Sequence, residues 1–175
     1  HRIDDMVESP GLHGRPALWI ASYGAGMAVR EAGAWTLLDT HSGLPSNVEV
    51  FTRSQAEDGS PALWIGTEGG LLRFERGRFT LFDERSGLPI RIIWKVLETR
   101  VGNGPPTLWL GTWGGGVVRL SPNGWRAFDA STGMPPGAVT SMLLSHDEAG
   151  NDVVWAGTSD GELARTVGDR FEAVA

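Results

Sequence analysis

The chain has 175 residues, enough for one ordinary domain, and a formal net charge of -6, which argues against non-specific nucleic-acid binding because that needs a basic surface. Cysteine is absent, which excludes a disulfide framework and a thiolate metal site, and no apolar run approaches the length of a membrane span. Glycine (25 residues) and tryptophan (8 residues) are abundant, which suits tight turns between aromatic-rich strands.

Short apolar or alternating segments, separated by Gly, Pro, Asn or Asp, run the length of the chain. None carries a helical stripe over three turns, so all read as strands. They fall into four groups of four, A to D. The first group is predicted at 2–8, 17–22, 27–31 and 34–38, and the second at 47–53, 62–67, 71–75 and 78–82. The third is predicted at 92–99, 107–112, 117–120 and 125–128, and the fourth at 138–145, 153–158, 162–167 and 170–174. The links are short, which forces antiparallel neighbours. Those from C to D contain Ala32-Gly33, Arg76-Gly77, Pro122-Asn123-Gly124 and Gly168-Asp169, all hairpin turn sequences. Those from A to B are longer and more variable, as loop tips are.

The groups repeat. Leu63-Trp64-Ile65-Gly66-Thr67-Glu68-Gly69-Gly70-Leu71-Leu72-Arg73-Phe74 recurs as Leu108-Trp109-Leu110-Gly111-Thr112 with Gly115-Gly116-Val117-Val118-Arg119-Leu120. Val154-Trp155-Ala156-Gly157-Thr158 and Leu18-Trp19-Ile20-Ala21-Ser22 are drifted copies. The tryptophans Trp19, Trp64, Trp109 and Trp155 are 45, 45 and 46 residues apart. Gly43-Leu44-Pro45, Gly87-Leu88-Pro89 and Gly133-Met134-Pro135 keep the same beat, as do aromatic strands ending at Asp39, Asp83 and Asp129. A four-stranded antiparallel meander of this period is a β-propeller blade. The expected fold is all-β, one β-propeller segment over 1–175 with blades at about 1–39, 40–83, 84–129 and 130–175. Strand B is apolar on both sides of its alternation, as a strand between two stacked sheets must be. Gly66 and its equivalents would let the next blade come close.

Positions at which all copies agree read as scaffold. The tryptophans are expected in blade packing. Arg30, Arg73, Arg119 and Arg165 are read as one strand-C position with a repeated ion pair or stacking contact, and Asp39, Asp83 and Asp129 as turn caps. Positions at which copies differ are the candidates for function. The B-to-C position reads Tyr23, Glu68, Trp113 and Ser159, and the start of strand A reads Asp4, Glu49, Trp94 and Thr140. Arg91, Asn47 and His41 lie nearby in sequence. In a propeller the D-to-A and B-to-C loops share the face around the channel mouth. Tyr23, Glu68, Trp113, Ser159, Glu49, Trp94, Arg91 and His41 are therefore the expected ligand-binding set. Aromatic platforms beside carboxylates and amides suit sugar rings.

Signals for metal and catalysis are weak. The acidic stretch from Asp147 to Asp152 misses the EF-hand pattern and reads as a solvated loop. His1, His13, His41 and His146 form no ligand pair, no nucleophile elbow is present, and Gly114 to Gly116 lacks the lysine of a phosphate loop. No enzyme activity, metal or cofactor is expected. The competing enzyme reading, a glycan-active propeller, would have to use Asp4, Glu49, Glu68 and His41.

The copies resemble the two-component regulator propeller repeat, L-W-I-G-T-x-x-G-G-L-x-R-F followed by an aromatic strand and G-L-P. The resemblance covers all 175 residues and is strongest over 62–98 and 107–144. It implies the extracytoplasmic, periplasmic sensor region of a bacterial hybrid histidine kinase, built from about seven blades. Its implied ligand is an oligosaccharide or other small molecule. No membrane contact by this segment is implied. The chain starts at His1 with no initiator Met or signal peptide, so a processed, truncated or excerpted chain is expected. Four blades are then half of an eight-bladed ring closed by a homodimer, or part of a seven-bladed one. A structural or engineered scaffold without ligand is the alternative.

Overall fold

The computed structural model describes residues 2–45, 47–56, 58–100 and 105–174. Each expected group folds into a four-stranded antiparallel sheet whose strands pair in chain order. The first sheet contains β1 (Arg2–Pro10), β2 (Pro16–Tyr23), β3 (Gly26–Glu31) and β4 (Ala34–Leu38). The second contains β5 (Val48–Gln55), β6 (Pro61–Thr67), β7 (Gly70–Glu75) and β8 (Arg78–Phe82). The third contains β9 (Ile93–Thr99), β10 (Thr107–Thr112), β11 (Val117–Ser121) and β12 (Gly124–Phe128). The fourth contains β13 (Val139–His146), β14 (Asp152–Thr158), β15 (Leu163–Val167) and β16 (Arg170–Val174). Most of the A-to-B link of the third repeat, together with His1, Ser46, Glu57 and Ala175, lies outside the described residues. The result is an all-β, propeller-like repeat fold arranged as two compact units, 1–93 and 94–175.

In the first unit the tryptophan side of the first sheet packs on the leucine side of the second. Trp19 is 0% exposed and lies edge-on to Phe51 and Phe79, with its centroid 4.8 Å from that of Phe74. Ala17, Ala21, Met27 and Val29 join it, facing Leu63, Ile65 and Leu72. The Asp5 carboxylate accepts a hydrogen bond of 2.7 Å from the Phe51 amide, so strands β1 and β5 are also tied by a polar contact. In the second unit the tryptophan side of the third sheet meets the leucine side of the fourth. Trp109, Val117 and Phe128 are buried with Val154, Ala156, Ala164 and Phe171. Asp169, in the last hairpin turn, accepts from Arg126 and pairs with Arg119 at 3.0 Å.

The repeated motif explains this stacking. Burial runs through both faces of β6 from Ala62 to Thr67 and of β10 from Leu108 to Thr112. The glycine within each strand allows close approach. A Cβ at Gly111 would sit 2.7 Å from Val139 Cγ1, and one at Gly66 would sit 2.9 Å from the Ile93 carbonyl oxygen. Arginine then covers tryptophan. The Arg73, Arg119 and Arg165 guanidinium groups lie 5.2, 5.5 and 5.8 Å from the ring centroids of Trp64, Trp109 and Trp155. The expected stacking contact is present in these three sheets. Arg30 is a correction. Val29 pairs with Trp19, and Arg30 pairs with Leu18. Alternation therefore sends Arg30 to the opposite face of its sheet.

The connectors between sheets are equally regular. Asp39, Asp83 and Asp129 are the N-caps of three short 3₁₀ turns, Thr40–Ser42, Glu84–Ser86 and Ala130–Thr132. Gly43, Gly87 and Gly133 end these turns in the left-handed conformation, which glycine adopts without a Cβ penalty. Leu88 and Met134, the residues after two of these glycines, are buried. The capping expected of the three aspartates is what they do.

Candidate functional site

The variable positions share a backbone frame that the repeat motif creates. The threonine closing strand B holds the turn that follows it. Thr67 Oγ1 donates to the Gly70 carbonyl at 2.7 Å, and Thr112 Oγ1 donates to that of Gly116 at 2.8 Å. This role of the Gly-Thr pair was not read from the sequence, although threonine stands there in three of the four copies. On the neighbouring strand the register slips between Ile3 and Asp5, between Val48 and Val50, and between Val139 and Ser141. Asp4, Glu49 and Thr140 are therefore bulge residues, and Trp94 stands at the same place in its repeat. A bulge re-aims one side chain out of the alternation. The frame is completed by a backbone bond across the two loops, from Glu68 N to Asn47 O at 3.1 Å and from Ser159 N to Ala138 O at 2.8 Å.

On this frame the first unit carries a polar chain. The Asp4 carboxylate accepts from the Tyr23 amide at 2.9 Å and pairs with Arg2, whose guanidinium lies 5.6 Å from the Tyr23 ring centroid. Asn47 Oδ1 accepts from the Gly24 amide at 2.9 Å, and Asn47 Nδ2 donates to the Glu68 carboxylate. Asp4, Tyr23, Asn47 and Glu68 are thus brought together across the edge of two sheets, with Tyr23 exposed and Glu68 half-buried. Glu49 is half-buried on its bulge. His41 and Arg91 stand outside this network. The His41 ring is 3.3 Å from the Asp39 carboxylate, where it reinforces the turn cap, and Arg91 is an exposed residue just before β9.

The second unit carries an aromatic pair at the same positions. Trp94 and Trp113 lie with ring centroids 4.2 Å apart and planes inclined at 56°. Trp113 is 53% exposed, and Trp94 is half-buried beneath it. The Trp94 indole N–H is buried without a hydrogen-bond partner, which costs free energy in a folded protein. Ser159 is committed to its own loop. Its hydroxyl accepts from the Ala138 amide at 3.1 Å and lies 3.0 Å from Asp160 Oδ1. Thr140 donates to the Gly157 carbonyl at 3.3 Å.

Electrostatically the carboxylates with lowered pKa values serve turns. Ser131, through its hydroxyl and its amide, holds the Asp129 carboxyl below its ordinary value. Ser60, again through both groups, and then Arg76 hold Asp58 down to about 2. Burial acts to raise Glu31, but hydrogen bonds from His13 and Arg15 outweigh it and leave its pKa lowered. Asp147 accepts from the Ala149 and Asn151 amides at 2.9 and 2.8 Å, so the acidic loop closes on itself. Among the described residues no cluster of three or more His, Asp or Glu side chains could hold a metal ion.

No family model matches the chain, and no curated protein matches it.

Proposed function

We propose that the four sheets are blades of a β-propeller and that the chain is a non-enzymatic ligand-binding segment. It uses the Trp94–Trp113 pair as a platform for a carbohydrate. The observation that carries this reading is Trp113 itself, a large indole left 53% exposed on a partner indole 4.2 Å away. A sugar ring offers an apolar face to such a surface and keeps its hydroxyl edges free for hydrogen bonds. The pair also stands on positions whose identity changes from sheet to sheet, beside a threonine-held turn at Thr112 like the one at Thr67 in the second sheet. The resemblance of the repeats to two-component regulator propellers supports placing this binding in an extracytoplasmic sensor region.

The test is a glycan array followed by calorimetry on the whole chain, with Trp113→Ala and Trp94→Ala beside it. A glycan is expected to bind, and either substitution is expected to weaken it about tenfold, or ~1.4 kcal/mol. Binding indifferent to both substitutions overturns the site. An array without a hit overturns the ligand class and favours a scaffold without ligand.

A further inference from the structure

Inside each unit one sheet presents a tryptophan side and the next receives it on a leucine side, twice over. Two faces of these same kinds stay open. On the first sheet the leucine side carries a row of paired residues, Met6, Ile20, Ala28 and Leu37, one from each strand. Leu18, Arg30 and Trp35 form the row beside it. Met6 and Leu37 are 58% and 59% exposed. On the fourth sheet the tryptophan side carries Leu143, Trp155, Arg165 and Glu172 across its strands. Leu143 is 62% exposed, and Leu163 and Val174 in the adjoining row are exposed as well.

We propose that the tryptophan side of the fourth sheet docks on the leucine side of the first sheet in a second copy of this chain. The contact is reciprocated, giving a head-to-tail dimer. The internal interfaces say what fits. Trp19 is received by Phe51, Phe74 and Phe79 of the second sheet. By register, the positions equivalent to these on the first sheet are Met6, Arg30 and Trp35, a thioether, a cation and an indole. All three are good partners for the ring of Trp155. Charge agrees too. One face brings Arg165 and Glu172, and the other brings Arg30 and Glu8, so neither meets a like-charged surface. The two faces differ from each other, so one contact leaves two open faces and only a pair that closes covers all four.

Sedimentation velocity on the 175-residue chain tests this, with Met6→Glu and Leu143→Lys. Both sites are exposed in the single chain, so both variants keep its fold, which circular dichroism checks. The unmodified chain is expected at twice 18.8 kDa and each variant at 18.8 kDa. An equimolar mixture of the two variants is expected to return to the dimer mass. It pairs one unmodified contact with one Glu–Lys contact, whereas each variant alone spoils both. A monomeric unmodified chain overturns the proposal, as it would if these faces await other blades of a longer chain. Loss of dimer in Met6→Glu alone, with Leu143→Lys still dimeric, overturns it in favour of a like-with-like contact. So does a mixture that stays monomeric.

Discussion

The edge of the first unit and the edge of the second use one backbone frame for opposite chemistries. In the first, Asp4, Tyr23, Asn47 and Glu68 satisfy one another and the amides around them. In the second, two indoles rest together and one buried N–H is left unpaired. The threonine-held turn recurs regardless, at Thr67 in the first unit and at Thr112 in the second. Rigidity therefore comes from the main chain and from the Thr hydroxyl, which frees the side chains above to change without loss of the sheet. This is the condition under which a repeat can specialise one copy for binding.

That division can be broken most sharply at tryptophan. Trp19→Ala removes a fully buried ring from the frame and is expected to cost about 3–5 kcal/mol in urea unfolding. Trp113→Ala, on the exposed side of the frame, is expected to stay within about 0.5 kcal/mol. Equal losses at the two sites would abolish the distinction between frame and platform. The next effect lies within one turn. Gly114 and Gly116 have φ of 77° and 74°, but a Cβ at Gly116 would come 2.1 Å from the Phe128 carbonyl oxygen, whereas one at Gly114 meets nothing within 4 Å. Gly114→Ala is expected to cost about 1 kcal/mol from conformation alone. Gly116→Ala is expected to reach about 3 kcal/mol, because it adds a backbone clash. Thermal melts of the pair measure the difference.

A smaller effect belongs to the polar edge. Asn47→Ala strips the acceptor from the Gly24 amide and the donor from Glu68, with an expected loss of about 1 kcal/mol. Hydrogen exchange at Gly24 should accelerate while that at Gly114 is unchanged. The smallest effect near neutrality is that of pH. Glu31, Asp39, Asp58, Asp129 and Asp147 all have lowered pKa values. The folded chain therefore binds fewer protons than the unfolded one, and stability rises with pH in that window. The contribution is complete above the ordinary values of 4.5 for Glu31 and 3.8 for the aspartates and declines as pH falls below them. Asp58 holds out longest, to about 2. Melting temperature should thus be flat above about pH 5 and fall below it. A Glu31→Gln chain should show a shallower decline.

The strands were legible because their period and punctuation are local. The expected spans of β4, β8, β10 and β16 match the structure, and the other twelve differ by two residues or fewer at either end. The aspartate caps were legible for the same reason, since aspartate, glycine and the buried residue after it lie within one turn. Arg30 was misread because aligning arginine with arginine ignores the length of the preceding turn. The register places Val29 opposite Trp19, ten residues on, as Arg119 is from Trp109. The polar chain from Asp4 to Glu68 was only partly legible. Its residues were singled out for their variability, but a bulge is a property of two strands in register, and no spacing along one strand reveals it.

The capped turn after each sheet has a consequence for how such a chain can grow. Asp83 caps the turn, Ser86 answers it, Gly87 reverses the backbone, and Leu88 is buried, all within six residues. Each of the first three repeats thus brings its own capped exit. A gene segment encoding one period of about 45 residues can therefore be duplicated or lost whole, with its capped turn carried along in the same segment. Copy number becomes a heritable variable, set apart from the chemistry that any single copy displays.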